Sequence, residues 1–147
     1  MIFIGRMLPL AGERLVTIRD DASFTQAADL LDERHSNIVV ACDKTGAMVG
    51  IITKSDVVNQ IGHCGGSACE AAVATVMTRH VTYCRPGDLL DDVWSVMKER
   101  GLQQIPVVED RKPVGVINAR DALLMLLEGS EHEEPLLRDY VMGIGYR

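Results

Sequence analysis

Residues 49–58 read VGIITKSDVV, and residues 114–123 read VGVINARDAL. The two stretches lie 65 residues apart, and a chain that repeats itself must build one architecture twice. Upstream the match continues with one residue of slip. DDASFTQAADLLDER (20–34) aligns with PGDLLDDVWSVMKER (86–100), and NIVVACDKTGAMVG (37–50) with QQIPVVEDRKPVG (103–115).

Each copy gives the same order of elements. An extended segment comes first, Leu15–Arg19 and Val81–Arg85. A helix follows, with Phe24, Ala27, Ala28 and Leu31 on one face, and Leu90, Val93, Trp94 and Met97 in the second copy. Ser23 with Gln26 is placed to form a capping box, and Asp88 to cap the second copy's helix. Two strands around a turn come next: Ile38–Cys42 and Met48–Thr53, then Ile105–Val108 and Val114–Asn118. A closing helix covers Ser55–Ile61 and Ala119–Leu127. The fold class is therefore α+β, two βαββα units. One three-stranded sheet covered on a single side leaves apolar surface bare, so the units are expected to pack face to face about a pseudo-two-fold axis.

The boundaries expected are an N-terminal arm at 1–14, a first repeat at 15–61, a linker at 62–76, a second repeat at 77–128 and a tail at 129–147. Gly62, Gly65 and Gly66 mark the linker as turning, with a short helix at Ala71–Met77. In the tail, Leu136, Leu137, Tyr140 and Val141 recur at helical spacing, suited to a terminal helix that packs on its own domain or, the preferred reading, docks across a homodimer.

A composition of 47% apolar and 24% charged residues is that of a folded globular chain. A net charge of −6 argues against a phosphate-backbone binder, which would normally carry a basic face, but not against small anions. The first dozen residues are interrupted by Arg6 and Pro9, and no run approaches the roughly 18 to 20 apolar residues of a membrane span. The expectation is a cytoplasmic protein that binds neither nucleic acid nor membrane. Four cysteines, at 42, 64, 69 and 84, are too few for a disulfide scaffold.

The repeated motif has two readings. In the first, Thr53 or Asn118 at a strand end caps the next helix, and Asp56 or Asp121 sits at the positive end of its dipole. In the second, the same groups suit a nucleotide: free helix amides for phosphate, a carboxylate for neighbouring ribose hydroxyls, and apolar strand residues for a base.

GIITKSD (50–56), GVINARD (115–121) and IPVVE (105–109), in paired βαββα order, resemble a tandem pair of cystathionine-β-synthase (CBS) domains, a Bateman module. The resemblance covers roughly residues 10 to 128. It implies a disc-shaped pair that binds adenine nucleotides or related adenosyl ligands between the repeats and that dimerises. By the same resemblance Asp56 and Asp121 are the ribose-binding carboxylates, and Thr53 and Asn118 the polar positions near phosphate. Lys54 and Arg120 lie in the same loops and suit phosphate. The backbone at Ile38–Val39 and Gln104–Ile105 is placed beside the base. Thr17–Ile18 and Tyr83–Cys84 form the opposite cleft edge. Two departures make the clefts unequal: Val40 stands where the second copy has Pro106, and Asn118 where the first has Thr53.

The sequence thus points to a non-catalytic regulatory module with no required cofactor. Its expected ligand is AMP, ADP or ATP, with S-adenosylmethionine and NAD as further candidates. With no effector domain legible in the sequence, its output is expected to reach an unidentified partner protein. The alternatives are an interaction module with vestigial clefts, or a thiol or metal sensor built on Cys64 and Cys69. Zinc wants about four ligands, and the spacing of these two cysteines is not that of a zinc finger. No Ser/His/Asp set and no Gly-rich phosphate loop is legible.

Overall fold

A computed structural model describes residues 1–63 and 70–129. The expectations for Cys64, Cys69 and the tail from residue 130 lie outside the described residues. A 3₁₀ turn at Ile4–Met7 leads into α1 (Leu8–Arg14). The first repeat is β1 (Thr17–Arg19), α2 (Phe24–Glu33), β2 (Ile38–Cys42), β3 (Met48–Thr53) and α3 (Lys54–His63). After the short α4 (Val73–Val76), the second repeat has α5 (Leu90–Arg100), β4 (Gln104–Glu109), β5 (Lys112–Asn118) and α6 (Ala119–Gly129).

Local chemistry accounts for two of the element ends directly. Ser23 caps α2 with a full capping box: its Oγ accepts from the Gln26 amide, and the Gln26 side chain accepts from the Ser23 amide at 2.9 Å. Gly101, in the left-handed region at φ 66°, ends α5. Asp88 does not cap α5 as expected. Its carboxylate accepts the Arg85 amide at 2.8 Å instead, and Leu89 occupies the cap position.

In the first repeat β1 pairs parallel to β2, and β2 antiparallel to β3. In the second, β4 pairs antiparallel to β5, and the expected strand at Val81–Arg85 reduces to one parallel bridge between Cys84 and Val107. The causes are two prolines, Pro106 and Pro86. In the first repeat the Val40 amide donates to the Val16 carbonyl at 2.8 Å. Pro106 at the matching place has no amide hydrogen, and neither has Pro86, which stands where the Asp20 amide donates to the Cys42 carbonyl at 2.9 Å. What survives is Cys84 N–H to Pro106 O at 3.0 Å and Val108 N–H to Cys84 O at 2.8 Å.

Both faces of each sheet are covered. Val39, Ala41 and Ile52 face α2 together with Ala27 and Leu31. Ile38, Val40 and Cys42, on the other face of β2, meet Val116 of the second repeat. Ile105, Val107 and Ile117 pack against Leu90, Val93 and Met97 of α5. This is the expected face-to-face pair, and it explains why IVVAC is apolar throughout: every residue of β2 is buried.

The leading segments are exchanged. The first residues of the chain belong to the second repeat: Ile4 N–H bonds the Asp88 carbonyl and Gly5 N–H that of Pro86, both at 2.8 Å, and Ile4, Met7 and Ala11 complete its core. Residues 71–78 belong to the first: Val73 N–H bonds Ala22 O at 2.8 Å, Thr78 exchanges both backbone bonds with Ile51, and Val73 and Met77 complete that core. The repeated glycine of each motif admits the exchange. A Cβ on Gly50 would lie 2.8 Å from the Thr78 carbonyl, and one on Gly115 would lie 2.8 Å from the Ala11 Cβ.

Candidate functional site

The motif of the first repeat stands where β3 hands over to α3. Thr53 N–H donates to Asp56 Oδ2 at 2.9 Å, and Asp56 N–H to Thr53 Oγ1 at 3.2 Å. This is a reciprocal capping box, so the capping reading holds here. The Asp56 carboxylate also accepts from the Thr78 hydroxyl, 3.2 Å from either oxygen. Ionised carboxylate oxygens carry about four acceptor sites, so acceptor capacity remains.

The second repeat solves the same corner differently. Asn118 is one bond longer than a threonine, and its Oδ1 accepts from the Arg120 amide at 2.9 Å. Asp121 takes the Arg14 guanidinium in a two-pronged ion pair, Nε–H to Oδ2 at 3.0 Å and Nη2–H to Oδ1 at 3.2 Å. The Asp121 side chain is 10% exposed and that of Arg14 45%.

Neither Thr78 nor Arg14 was legible as a site residue. Each precedes the leading extended segment of its own copy, yet the exchange carries it across to the other repeat's carboxylate. The signal, a polar donor ahead of both Leu15 and Val81, acquires meaning only once the crossing is known.

Strand register brings several expected residues to these corners. Ile38 pairs with Thr53, and Gln104 with Asn118. Ile38, Val39 and Ile105 have buried side chains, so only their backbone is on offer. Gln104 Oε1 is shut off from solvent with no hydrogen-bond partner among the described residues.

Other expected residues stand apart. Thr17 and Ile18 pair with Val40 and Ala41, about 7 to 10 Å along β2 from Ile38. They line a hollow of about 500 Å³ at the hairpin end, with Arg19, Lys44 and Lys112. Tyr83 lines a hollow of about 670 Å³ with Arg85, Asp88 and Arg111. The Cys84 side chain is buried against Pro106. Lys54 lines a groove between α2 and α3 with Asp32, His35 and Val57. Arg120 is exposed at the start of α6.

Burial, then the nearby charge of Asp88, pushes the Cys84 thiol up to about 12. Burial followed by Asp43 and Asp20 raises that of Cys42. Both thiols stay neutral and weakly nucleophilic at physiological pH. Among the described residues no group of three or more His, Cys, Asp or Glu side chains is arranged to hold a metal ion. None of their helices is long and apolar enough to cross a membrane.

Two α+β repeats packed face to face, each ending a strand beside a carboxylate at a helix start, define the class: a paired-repeat module. The family described as CBS domain matches residues 10–63 and 73–128, and the chain belongs to that family as a tandem pair. Inosine-5'-monophosphate dehydrogenase of Nitrosopumilus maritimus is 26% identical over 110 residues, which are 74% of this chain and 22% of that enzyme. The first three curated relatives are matched over only 20% to 35% of their own length. Among solved structures, the CBS-domain containing protein ATU1752 from Agrobacterium tumefaciens superposes with a TM-score of 0.71 at 27% identity, over 83% of this chain and 91% of that one. The CBS domain pair of protein MJ0100, in complex with 5'-methylthioadenosine and S-adenosyl-L-methionine, superposes with a TM-score of 0.70 at 23% identity, over 85% and 99%.

Proposed function

We propose that this chain is a regulatory module that binds an adenosyl ligand (AMP, ADP, ATP, S-adenosylmethionine or NAD) at Asp56, Asp121 or both. The observation that carries the reading is the crossed contact at each motif: Asp56 with Thr78, and Asp121 with Arg14. A ribose that takes either carboxylate competes with a donor belonging to the other repeat's leading segment. Binding therefore shifts the balance between two arrangements of the repeats, and a partner protein that distinguishes them reads the signal. The adenosyl compounds bound to the CBS pair of MJ0100 support the choice of ligand class.

In this reading the module works in the cytoplasm as a homodimer and has no catalysis of its own. Val58 and Ile61 on α3, 70% and 60% exposed, and Leu124 on α6, 49% exposed, support contact with a second copy. The rival, an interaction module with vestigial clefts, draws support from the same carboxylates, since protein donors already occupy both.

Thermal shift against the five ligands separates the two. A ligand selective for the native state at a hundred times its Kd adds about 2.7 kcal/mol, several degrees for a domain of this size. Asp56→Asn together with Asp121→Asn should abolish the shift. No shift with any of the five favours the rival, and a shift that survives the double substitution rejects these two carboxylates as the site.

A further inference from the structure

The two carboxylates have partners of different charge. Asp56 faces a neutral hydroxyl, Thr78. Of the basic residues near that corner, Lys54 lines the groove between α2 and α3, and Arg79 bonds the Ala74 carbonyl at 2.8 Å. Asp121 faces Arg14 through a two-pronged ion pair. Arg14 ends α1, which is seated on β5 where Ala11 meets Gly115. Its guanidinium can swing about that fixed helix, and at 45% exposure it has open space to swing into.

From this we infer that the second cleft selects phosphorylated adenosine nucleotides over uncharged adenosyl compounds, and that Arg14 makes the selection. The inference rests on the adenosyl-binding reading above and adds the ligand class of one cleft. The Asp121 side chain is only 10% exposed with Arg14 on both of its oxygens, so a ribose diol that takes both oxygens displaces Arg14. An uncharged nucleoside then leaves a guanidinium that has lost its carboxylate partner. A nucleotide returns a charge-assisted pair, because its phosphate offers Arg14 the same two-pronged acceptor geometry that Asp121 gave. The first cleft has no such toll, and its hydroxyl partner leaves it open to neutral and cationic adenosyl compounds.

Isothermal titration of the full chain carrying Asp56→Asn, with ADP and with adenosine, isolates the second cleft. ADP should bind at least about tenfold more tightly than adenosine, the scale of one charge-assisted pair. Adding Arg14→Gln should reduce that preference to about threefold or less, with adenosine binding no weaker than before. Arg14→Lys, which keeps the charge and loses the fork, should fall between. If Asp56→Asn impairs folding, subtracting the Asp121→Asn titration from the wild-type one gives the same comparison. Equal affinity for ADP and adenosine with Arg14 present overturns the inference, as does a preference that persists in Arg14→Gln; in both cases adenosyl binding itself stands. Absence of any binding by ADP, adenosine or S-adenosylmethionine to the wild type removes the parent reading and this inference with it.

Discussion

At the residue scale, the Val40 amide donates to the Val16 carbonyl, and Pro106 at the matching position has no hydrogen to give. Two missing donors, that of Pro106 and that of Pro86 at the place of Asp20, separate a three-residue strand from a single bridge. One extra bond of side-chain length likewise separates Asn118, which reaches the Arg120 amide, from Thr53, which caps Asp56. Cys84, held beside the shortened ladder, has a thiol raised to about 12 from an ordinary value of 9.0. The folded state thus keeps a proton that the unfolded chain releases. The associated stability is fully present below about pH 9 and is lost as pH rises toward about 12. The slope approaches about 1.4 kcal/mol per pH unit for one proton. Denaturant unfolding between pH 8 and pH 11 should show this decline in the wild type, and Cys84→Ala should flatten it.

At the element scale, the close approaches of the leading segments rest on Gly50 and Gly115. A Cβ on Gly115 meets the Ala11 Cβ at 2.8 Å and its carbonyl carbon at 2.9 Å, so α1 must move as a body. A Cβ on Gly50 meets the Met77 sulfur at 2.7 Å, which can rotate away, but also the Thr78 carbonyl at 2.8 Å, which cannot. Each Gly→Ala change should cost about 1 to 3 kcal/mol by overpacking, with the larger loss at Gly115. Chemical denaturation midpoints at constant slope measure both. The strands and helices themselves were legible because IVVAC and MVGIIT are short β-branched apolar runs around a turn, and the Phe24–Leu31 face recurs at helical spacing. The expected strand at Val81–Arg85 failed because pattern records side chains, and a ladder needs backbone hydrogens. Asp88 failed as a cap because Arg85 N–H, three residues back, competes for its carboxylate.

At the scale of the whole molecule, the candidate site was half legible. The twin Asp56 and Asp121 announced themselves by repetition, whereas Arg14 and Thr78 arrive from segments that alignment assigns to the other copy. The same exchange puts Ile4, fully buried, into the core of the second repeat with Leu90 and Ile105. Ile4→Ala should therefore cost about 2 to 5 kcal/mol. In native-state hydrogen exchange it should speed α5 and β4 more than β2, although residue 4 lies next to the first repeat in sequence. Faster exchange confined to β1 and β2 would contradict the crossed arrangement.

That crossing bears on inheritance as well as on stability. A gene fragment covering either half alone would encode one sheet missing a wall and one stray wall without its sheet. Each half alone therefore leaves a core open, and the unit that closes both cores is the interlocked pair.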